Sequence, residues 1–272
     1  MRYRLLALDV DGTLLDSHHQ LPPRVARAVV AAREAGLTVT LATGKLLASI
    51  QPLMETLGLS GPQICLNGAA IMKDLTTPPL WYAPLPDSDR RDVIAAVRRL
   101  APETLISQFA LDAIYVDREH PSLRVFEEFG EQAPKMTSDL LAVVEPLTAK
   151  MLVVGSLEHI PLLYKRVAPL LGERLYIMTT MPIFLEFFQF VANKGHALRS
   201  LRESLGMAQQ EVIAIGDGAN DAPLLREAGL AISMANGAPE TRAAAQVIAP
   251  TNDEDGVAVI LERLLRGEPL DA

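Results

Sequence analysis

The chain has 272 residues, and at about 150 residues per domain this length favours two domains or one domain with a large insertion. Apolar residues make up 49% of the sequence and charged residues 21%, which excludes general disorder. The net charge of −8, without a basic block, argues against non-specific nucleic-acid binding. The single cysteine, Cys65, forbids an internal disulfide and leads us to expect a reducing, cytoplasmic compartment. No apolar run approaches the ~18 residues of a membrane helix, so no membrane partner is expected.

The first part of the chain alternates between predicted strands and helices. A continuous apolar run at 5–10 predicts a strand buried on both faces, and 37–42 and 62–66 predict two more. Helices are predicted at 23–36, which has a proline near its start and a glycine at its end, and at 46–58. This β-α-β-α-β order indicates a parallel sheet covered by helices.

The pattern changes between about residues 84 and 185. Predicted strands now come in neighbouring pairs, which is typical of a mainly antiparallel sheet in an α+β unit. The pairs are 105–110 with 113–117 and 174–179 with 184–188, and a further strand at 150–154 and helices at 87–100, 122–130 and 158–171 complete the segment.

After this segment the alternation of the first part returns. Predicted strands lie at 211–215, 230–234 and 247–249, and predicted helices at 195–206, 221–229, 239–245 and 256–266. The predicted fold class is therefore α/β: a Rossmann-like parallel-sheet core, residues 1–83 and 186–272, into which residues 84–185 are inserted as an α+β domain.

Polar side chains follow four of the predicted parallel strands, at the point where each strand ends. Open parallel sheets bind ligands at the carboxyl ends of their strands, so we expect these side chains along one edge. Each stretch alone is also a favoured turn sequence, but four such stretches at one edge of the sheet indicate a ligand-binding site. The residues are Asp9 and Asp11, then Thr43, Gly44 and Lys45, then Asn67, and finally Asp217, Asn220 and Asp221.

The aspartates of this set predict a metal site. Asp9 and Asp11 stand two residues apart in a predicted extended segment, so their carboxylates are expected on the same side, and Asp217 and Asp221 add further negative charge. Crowded carboxylates either retain protons or bind a cation. With no histidine or cysteine in the set a hard ion is expected, and Mg²⁺ fits best if the substrate supplies phosphate oxygens. The alternative is a set of solvated aspartates at helix starts.

Two further residues indicate an anion. Lys194 begins a predicted helix, where the dipole disfavours a cation unless an anion lies near; the alternative is an ordinary surface lysine. Thr43 ends a strand before a helix and offers a hydroxyl and backbone N–H groups to the same anion, or serves only as a helix cap. His18 and His19 are adjacent, so in extended chain they would point in opposite directions, and a polar loop is predicted there.

Four stretches of the chain resemble, in order, the four motifs of the haloacid dehalogenase (HAD) superfamily of phosphohydrolases: Asp9-Val10-Asp11-Gly12-Thr13-Leu14-Leu15, Thr43-Gly44, Lys194-Gly195 and Gly216-Asp217-x-x-Asn220-Asp221. The resemblance covers the whole chain. The insertion between the second and third motifs, together with Asn67-Gly68-Ala69, is similar to the Cof-type branch with its large α/β cap. Lys45 departs from the arginine usual in that branch, which keeps the charge but loses the bidentate fork.

The resemblance implies a catalytic role for each motif. Asp9 would be the nucleophile that forms an aspartyl-phosphate, and Asp11 would protonate the leaving group and then deprotonate the attacking water. Thr43 and Lys194 would hold the transferring phosphoryl oxygens.

The resemblance also implies the binding residues. Mg²⁺ would be held by the side chains of Asp9 and Asp217 and by the backbone carbonyl of Asp11. Asp221 would position Lys194, and the remaining contacts to phosphate or substrate would come from Gly44, Lys45, Asn67 and Asn220. The insertion would be a lid hinged near Pro84 and Pro182, and it would carry the substrate specificity.

The function predicted from these residues is a Mg²⁺-dependent phosphatase of small phosphorylated metabolites. Sugar phosphates come first, and nucleotides, flavin mononucleotide and pyridoxal phosphate stay open. The alternatives are a phosphotransferase or phosphomutase on the same fold and, ranked lower, a non-enzymatic phospho-aspartate switch, which leaves Asp11 and the insertion without a role. Neither the physiological substrate nor the oligomeric state follows from the sequence.

Overall fold

The computed structural model describes residues 2–144 and 147–270. In chain order the strands are β1 (Leu5–Leu8), β2 (Thr38–Leu41), β3 (Gln63–Cys65), β4 (Ala70–Met72), β5 (Trp81–Tyr82), β6 (Leu105–Phe109), β7 (Ile114–Val116), β8 (Lys135–Met136), β9 (Lys150–Val154), β10 (Leu175–Met178), β11 (Phe184–Gln189), β12 (Val212–Gly216), β13 (Leu230–Met234) and β14 (Val247–Ala249). The α-helices are α1 (Pro23–Glu34), α2 (Leu47–Leu57), α3 (Asp87–Leu100), α4 (Arg124–Glu128), α5 (His159–Leu171), α6 (Lys194–Ser204), α7 (Ala222–Arg226), α8 (Pro239–Ala244) and α9 (Gly256–Arg266).

The chain divides into two compact units. The first contains the residues up to Gly44, Ile50–Trp81 and the chain from Asn193 onward, and the second contains Lys45–Ser49 and Tyr82–Ala192. No helix in the part of the chain that the structure describes is long and apolar enough to cross a membrane.

The first unit is built on a parallel sheet in the order β14-β13-β12-β1-β2. Strand β1 lies inside this sheet, with Leu8 paired to Leu41 on one side and to Ile215 on the other. All four residues of β1 are fully buried, which confirms the strand predicted from the continuous apolar run.

The order of the strands reverses between β1 and β12. From β1 the chain proceeds to β2 on one side, and from β12 it proceeds through β13 to β14 on the other. In open parallel sheets such a reversal opens a crevice at the carboxyl ends of the strands, where ligands bind. Asp9 and Asp217 follow directly on these two strands.

The third predicted strand is not a full member of the parallel sheet, which corrects that part of the sequence prediction. Strand β3 pairs antiparallel with β4 in a small three-stranded sheet, β3-β4-β5, and a single parallel bridge between Ala42 and Ile64 connects it to the end of β2. The physical reason is the turn after Cys65, where Asn67 (φ 55°) and Gly68 (φ 91°) reverse the chain at once.

The second unit contains a six-stranded sheet in the order β10-β11-β9-β6-β7-β8, antiparallel except for the pair β7 and β8. Helices α3 and α5 supply residues such as Val93 and Leu163 to its hydrophobic core. The insertion is therefore an α+β unit. The predicted division at 185/186 falls inside β11, whose residues from Phe184 to Phe188 pair with β9, and this pairing holds the segment with the second unit.

Candidate active site

Three aspartates of the first unit come together at the strand reversal. Each of Asp9, Asp217 and Asp221 offers one carboxylate oxygen, and these oxygens lie within 4.8 Å of one another. Asp9 is held there because its backbone N–H continues the sheet pairing to the Ile215 carbonyl oxygen at 2.9 Å. Asp221 is fully buried and Asp9 is 6% exposed. The cluster therefore joins the first and fourth motifs of the sequence.

Lys194 connects two of these carboxylates. Its Nζ donates to Asp9 Oδ1 and to Asp221 Oδ1, each at 2.6 Å, and the side chain is buried. Lys194 is the first residue of α6, whose N-cap Asn193 accepts the His196 N–H at 2.9 Å. An anion was expected beside this lysine, and the carboxylates of Asp9 and Asp221 are two such anions.

Both carboxylate oxygens of Asp221 accept hydrogen bonds. Besides the bond from Lys194 to Oδ1, its Oδ2 accepts the backbone N–H groups of Asp217 at 3.1 Å and Gly218 at 2.9 Å. Three donors therefore fix the position of this side chain. Asp217 Oδ1, in turn, accepts the Thr13 hydroxyl at 2.6 Å.

The buried charges of the cluster do not balance. Burial raises the pKa of Asp9 well above its ordinary value, as do the charges of Asp221 and Asp217, although Lys194 acts in the opposite direction. Burial also raises the pKa of Asp217 to about 6, although the hydrogen bond from Thr13 acts to lower it. Burial alone would lower the pKa of Lys194, but the neighbouring carboxylates outweigh it and the net shift is upward. Three carboxylates beside one ammonium favour the binding of a further cation.

Two glycines allow the loops of the site to approach one another. Gly12 has φ +79°, and a Cβ there would lie 2.4 Å from Asp217 Oδ2. Gly68 has φ +91°, and a Cβ there would lie 2.2 Å from the Asn193 carbonyl oxygen, next to Lys194. A side chain at either position would push apart the segments that carry the charged residues.

Asp11 is not part of the three-carboxylate cluster. Asp11 keeps an extended backbone (φ −78°, ψ 123°), Gly12 turns the chain (φ +79°), and the turn is closed by the Leu15 N–H, which donates to the Val10 carbonyl oxygen at 3.0 Å. The expectation that the Asp9 and Asp11 carboxylates lie on the same side stays a prediction. Among the described residues the carboxylate cluster does not include Asp11, whose Oδ1 lies 3.4 Å from His19 Nδ1.

A second group of predicted residues is joined by hydrogen bonds within the first unit. Thr43 is buried, and its carbonyl oxygen accepts the Asn67 N–H at 2.9 Å. The Asn67 side-chain oxygen accepts Asn220 Nδ2 at 3.0 Å, and a Cβ on Gly44 would come within 3.2 Å of the Asn67 amide. The ends of β2, β3 and β12 thus lie close together, as the sequence analysis expected.

Lys45 belongs to the second unit. Its Nζ donates to the Phe129 carbonyl oxygen at 2.8 Å, in the turn after α4. The predicted contact between Lys45 and phosphate stays a prediction.

Two residues of the site were missed by the sequence analysis. Thr13 bonds Asp217, and the Asn236 side chain donates to the Gly12 carbonyl oxygen at 2.8 Å. Thr13 stands inside the first motif, and Asn236-Gly237 follows a predicted strand as Asn67-Gly68 does. The strand-end signal that found the other residues could therefore have found Asn236.

A parallel sheet with acidic strand ends, a buried lysine and an inserted α+β unit is the architecture that the motif resemblance implies. The sequence profile of the haloacid dehalogenase-like hydrolases matches residues 6–261, and the chain belongs to this family, which confirms the resemblance stated from the motifs.

Relatives and solved structures similar to this chain extend over nearly its whole length. The Bacillus subtilis (strain 168) protein YxeH is 29% identical over 268 residues, which cover 97% of this chain and 98% of that protein. The pyridoxal phosphate phosphatase YbhA of Escherichia coli (strain K12) is 28% identical over 274 residues, covering 95% and 97%. A crystal structure of a haloacid dehalogenase-like hydrolase from Bacteroides thetaiotaomicron matches with a TM-score of 0.86 and 29% identity, over 96% of this chain and 99% of that one.

Proposed function

We propose that the protein is a Mg²⁺-dependent phosphatase of small phosphorylated metabolites, with Asp9 as the nucleophile. The observation that carries the proposal is the position of Asp9 at the carboxyl end of β1, buried, bonded to Lys194 and beside Asp217. The family of haloacid dehalogenase-like hydrolases supports the reaction class.

The donor set of the cluster fits a hard divalent cation. All of its side-chain donors are carboxylate oxygens, which is the preference of Mg²⁺. Asp9 and Asp217 would hold the ion with the Asp11 carbonyl, since Asp221 already accepts three hydrogen bonds and is suited to fixing Lys194. When bound, the ion supplies positive charge that lets the anionic nucleophile approach an anionic phosphate.

The reaction takes two steps on the residues of this chain. In the first, an Asp9 carboxylate oxygen attacks phosphorus, the bond to the leaving oxygen breaks, and Asp11 gives that oxygen a proton. In the second, Asp11 takes a proton from water, which attacks the aspartyl-phosphate and releases inorganic phosphate. Lys194 and Thr43 hold the phosphoryl oxygens during both steps.

The proposed substrates are small phosphorylated metabolites of several classes. Sugar phosphates are the first expectation, and nucleotides and flavin mononucleotide stay in the panel to be tested. The name of the similar E. coli protein makes pyridoxal phosphate a necessary member of the same panel.

Hydrolysis across that panel, with Mg²⁺ or with EDTA, tests the proposal. We expect phosphate release that needs Mg²⁺, and a fall in kcat of at least about 1000-fold in Asp9→Asn, because the amide is a poor nucleophile. Asp112→Asn, a change at an exposed residue of the second unit, is the matched control. Near-normal turnover by Asp9→Asn, or full activity in EDTA, would contradict the proposal, and a phosphorylated product in place of free phosphate would favour the phosphotransferase.

A further inference from the structure

Asn236 lies in the turn after β13 and is bonded to the turn that follows β1. Its Nδ2 donates to the Gly12 carbonyl oxygen at 2.8 Å, although the two residues stand 224 positions apart in the chain. The reaction steps above give Asn236 no role. The bond nevertheless attaches the turn after β13 to the segment that carries Asp9 and Asp11.

Gly12 needs a restraint that a side chain of its own cannot supply. The approach of Asp217 excludes a Cβ at this position, since Asp217 Oδ2 would lie 2.4 Å from it. Glycine has more conformational freedom than any other residue, and a φ of +79° is only one of the values open to it. A hydrogen bond to the Gly12 carbonyl oxygen fixes the peptide group that follows. Asn236 therefore limits a freedom that the close packing of the site makes unavoidable.

The Asn236 amide is itself oriented by a partner. Its Oδ1 accepts the backbone N–H of Asn252 at 3.1 Å, so its Nδ2 faces Gly12. Asn252 is buried, and its own Nδ2 donates to the Leu15 carbonyl oxygen at 2.9 Å. Leu15 closes the turn after β1, because its N–H donates to the Val10 carbonyl oxygen. The two asparagines therefore hold this turn at two points, Gly12 and Leu15.

The turn after β13 also holds the fourth motif. The Ala238 N–H donates to the Asp217 carbonyl oxygen at 2.8 Å. The hydroxyl of Thr241, a buried residue, donates to the Gly218 carbonyl oxygen. Asn236 and Ala238 stand two residues apart, and one bonds the turn after β1 while the other bonds the turn after β12. This short turn therefore fixes the two segments that would hold the metal ion relative to each other.

We propose that Asn236 is a positioning residue for the metal site. The Asp11 carbonyl belongs to the peptide group that precedes Gly12, so a bond that fixes the Gly12 torsions also fixes the direction of that carbonyl relative to the Asp217 carboxylate. Fixed ligands matter most for Mg²⁺, which demands near-ideal octahedral geometry, whereas Ca²⁺ accepts flexible coordination. This inference rests on the proposed function, because it assumes that these oxygens hold a divalent ion.

The relative affinity for the two ions tests this role, because a general structural defect weakens the binding of both alike. We expect Asn236→Ala to weaken Mg²⁺ binding about 10-fold, which is typical when a residue that supports a metal ligand is removed. Ca²⁺ binding should weaken by less than about 3-fold. Isothermal titration calorimetry on protein treated with EDTA and then dialysed measures both affinities, at a temperature at which circular dichroism shows the variant to be folded.

Two further variants separate positioning from other effects. Asn236→Asp keeps the shape of the side chain and an acceptor for the Asn252 N–H, but it loses the donor to Gly12. Its added charge attracts both ions, so the ratio of Mg²⁺ to Ca²⁺ affinity should still fall as it does in Asn236→Ala. Gln209→Ala is the matched control, because Gln209 Nε2 also donates to a backbone carbonyl, that of Arg226 at 2.9 Å, but lies ahead of β12. It should leave both affinities unchanged.

The outcomes distinguish the inference from the function beneath it. If the unmodified protein binds Mg²⁺ and Asp217→Asn does not, the proposed metal site stands. Equal losses for the two ions in Asn236→Ala, or an unchanged Mg²⁺ affinity, would then overturn the role of Asn236 alone. If the unmodified protein binds no Mg²⁺, or if Asp217→Asn binds it equally tightly, the proposed metal site fails, and the role of Asn236 fails with it.

Discussion

Lys194 is the residue on which the electrostatics of the carboxylate cluster depends most. It brings one ammonium group into a buried site and bonds two carboxylates there, at 2.6 Å each. Burying an ion pair costs much of what its attraction supplies, but removing one partner leaves the other charge buried and unpaired. The lysine is therefore needed for the stability of the fold as well as for the proposed reaction.

We expect Lys194→Met to lower the free energy of unfolding by about 3–5 kcal/mol at pH 7 in EDTA, because Asp9 and Asp221 lose their shared cation. Urea denaturation measures the change. Lys165→Met, at an exposed position of α5, should change stability by no more than about 0.5 kcal/mol. Equal effects of the two substitutions would show that the buried ion pairs do not stabilise the protein.

At the scale of elements, the turns after β1, β3 and β12 bring the site together. Each turn begins where a buried strand ends, and the parallel register brings the ends of β1 and β12 side by side. The closest approach between these turns depends on Gly12, which leaves room for Asp217.

Gly12→Ala should impair both the fold and the site. The new Cβ would lie 2.4 Å from Asp217 Oδ2, and left-handed backbone is unfavourable for alanine, so we expect a loss of about 1–3 kcal/mol in stability. Mg²⁺ affinity, measured by calorimetry, should also fall. Gly36→Ala is the matched control, because φ is +100° there but nothing lies within 4 Å of the added Cβ. Unchanged Mg²⁺ binding by Gly12→Ala would contradict the proposed place of the metal.

Much of the fold and of the site could be predicted because strand ends are marked by local sequence. The buried run at 5–8 and the polar residues that follow it were enough to place Asp9 at the carboxyl end of a central strand. Asp217 was found in the same way. Polar residues after strands predict a site because the carboxyl ends of all strands of a parallel sheet lie along one edge.

The remaining features depend on backbone torsions and on distant partners. Left-handed torsions after Cys65 make β3 pair with β4 in a hairpin instead of joining the parallel sheet. These torsions are not dictated by residue type alone. The bond from Lys45 to the Phe129 carbonyl joins residues 84 positions apart and has no signature in the sequence.

At the scale of the whole molecule, the cluster links stability to pH. In the metal-free protein the pKa of Asp217 is about 6, above its ordinary value of 3.8, so the folded state binds more protons than the unfolded state between these two values. The stabilisation from this group is complete below about pH 4 and is lost as the pH rises through 6. Asp9 shifts in the same direction.

We therefore expect Asp217→Asn to gain stability relative to the unmodified protein as the pH rises from 4 to 7 in EDTA, by up to about 3 kcal/mol. Added Mg²⁺ at pH 7 should raise the Tm of the unmodified protein and leave that of the variant nearly unchanged. Chemical and thermal denaturation measure the two effects. A stability difference that stays constant from pH 4 to pH 7 would contradict the raised pKa.

The position of β1 has a consequence for how the chain is made. Leu5 pairs with Val212, so one edge of β1 has no partner until a strand 207 residues later in the chain has been synthesised. The six-stranded sheet of the second unit needs only the stretch from Leu105 to Gln189. We expect the insertion to complete its sheet during translation, while β1 keeps an unpaired edge, which is prone to aggregation, until β12 has been synthesised.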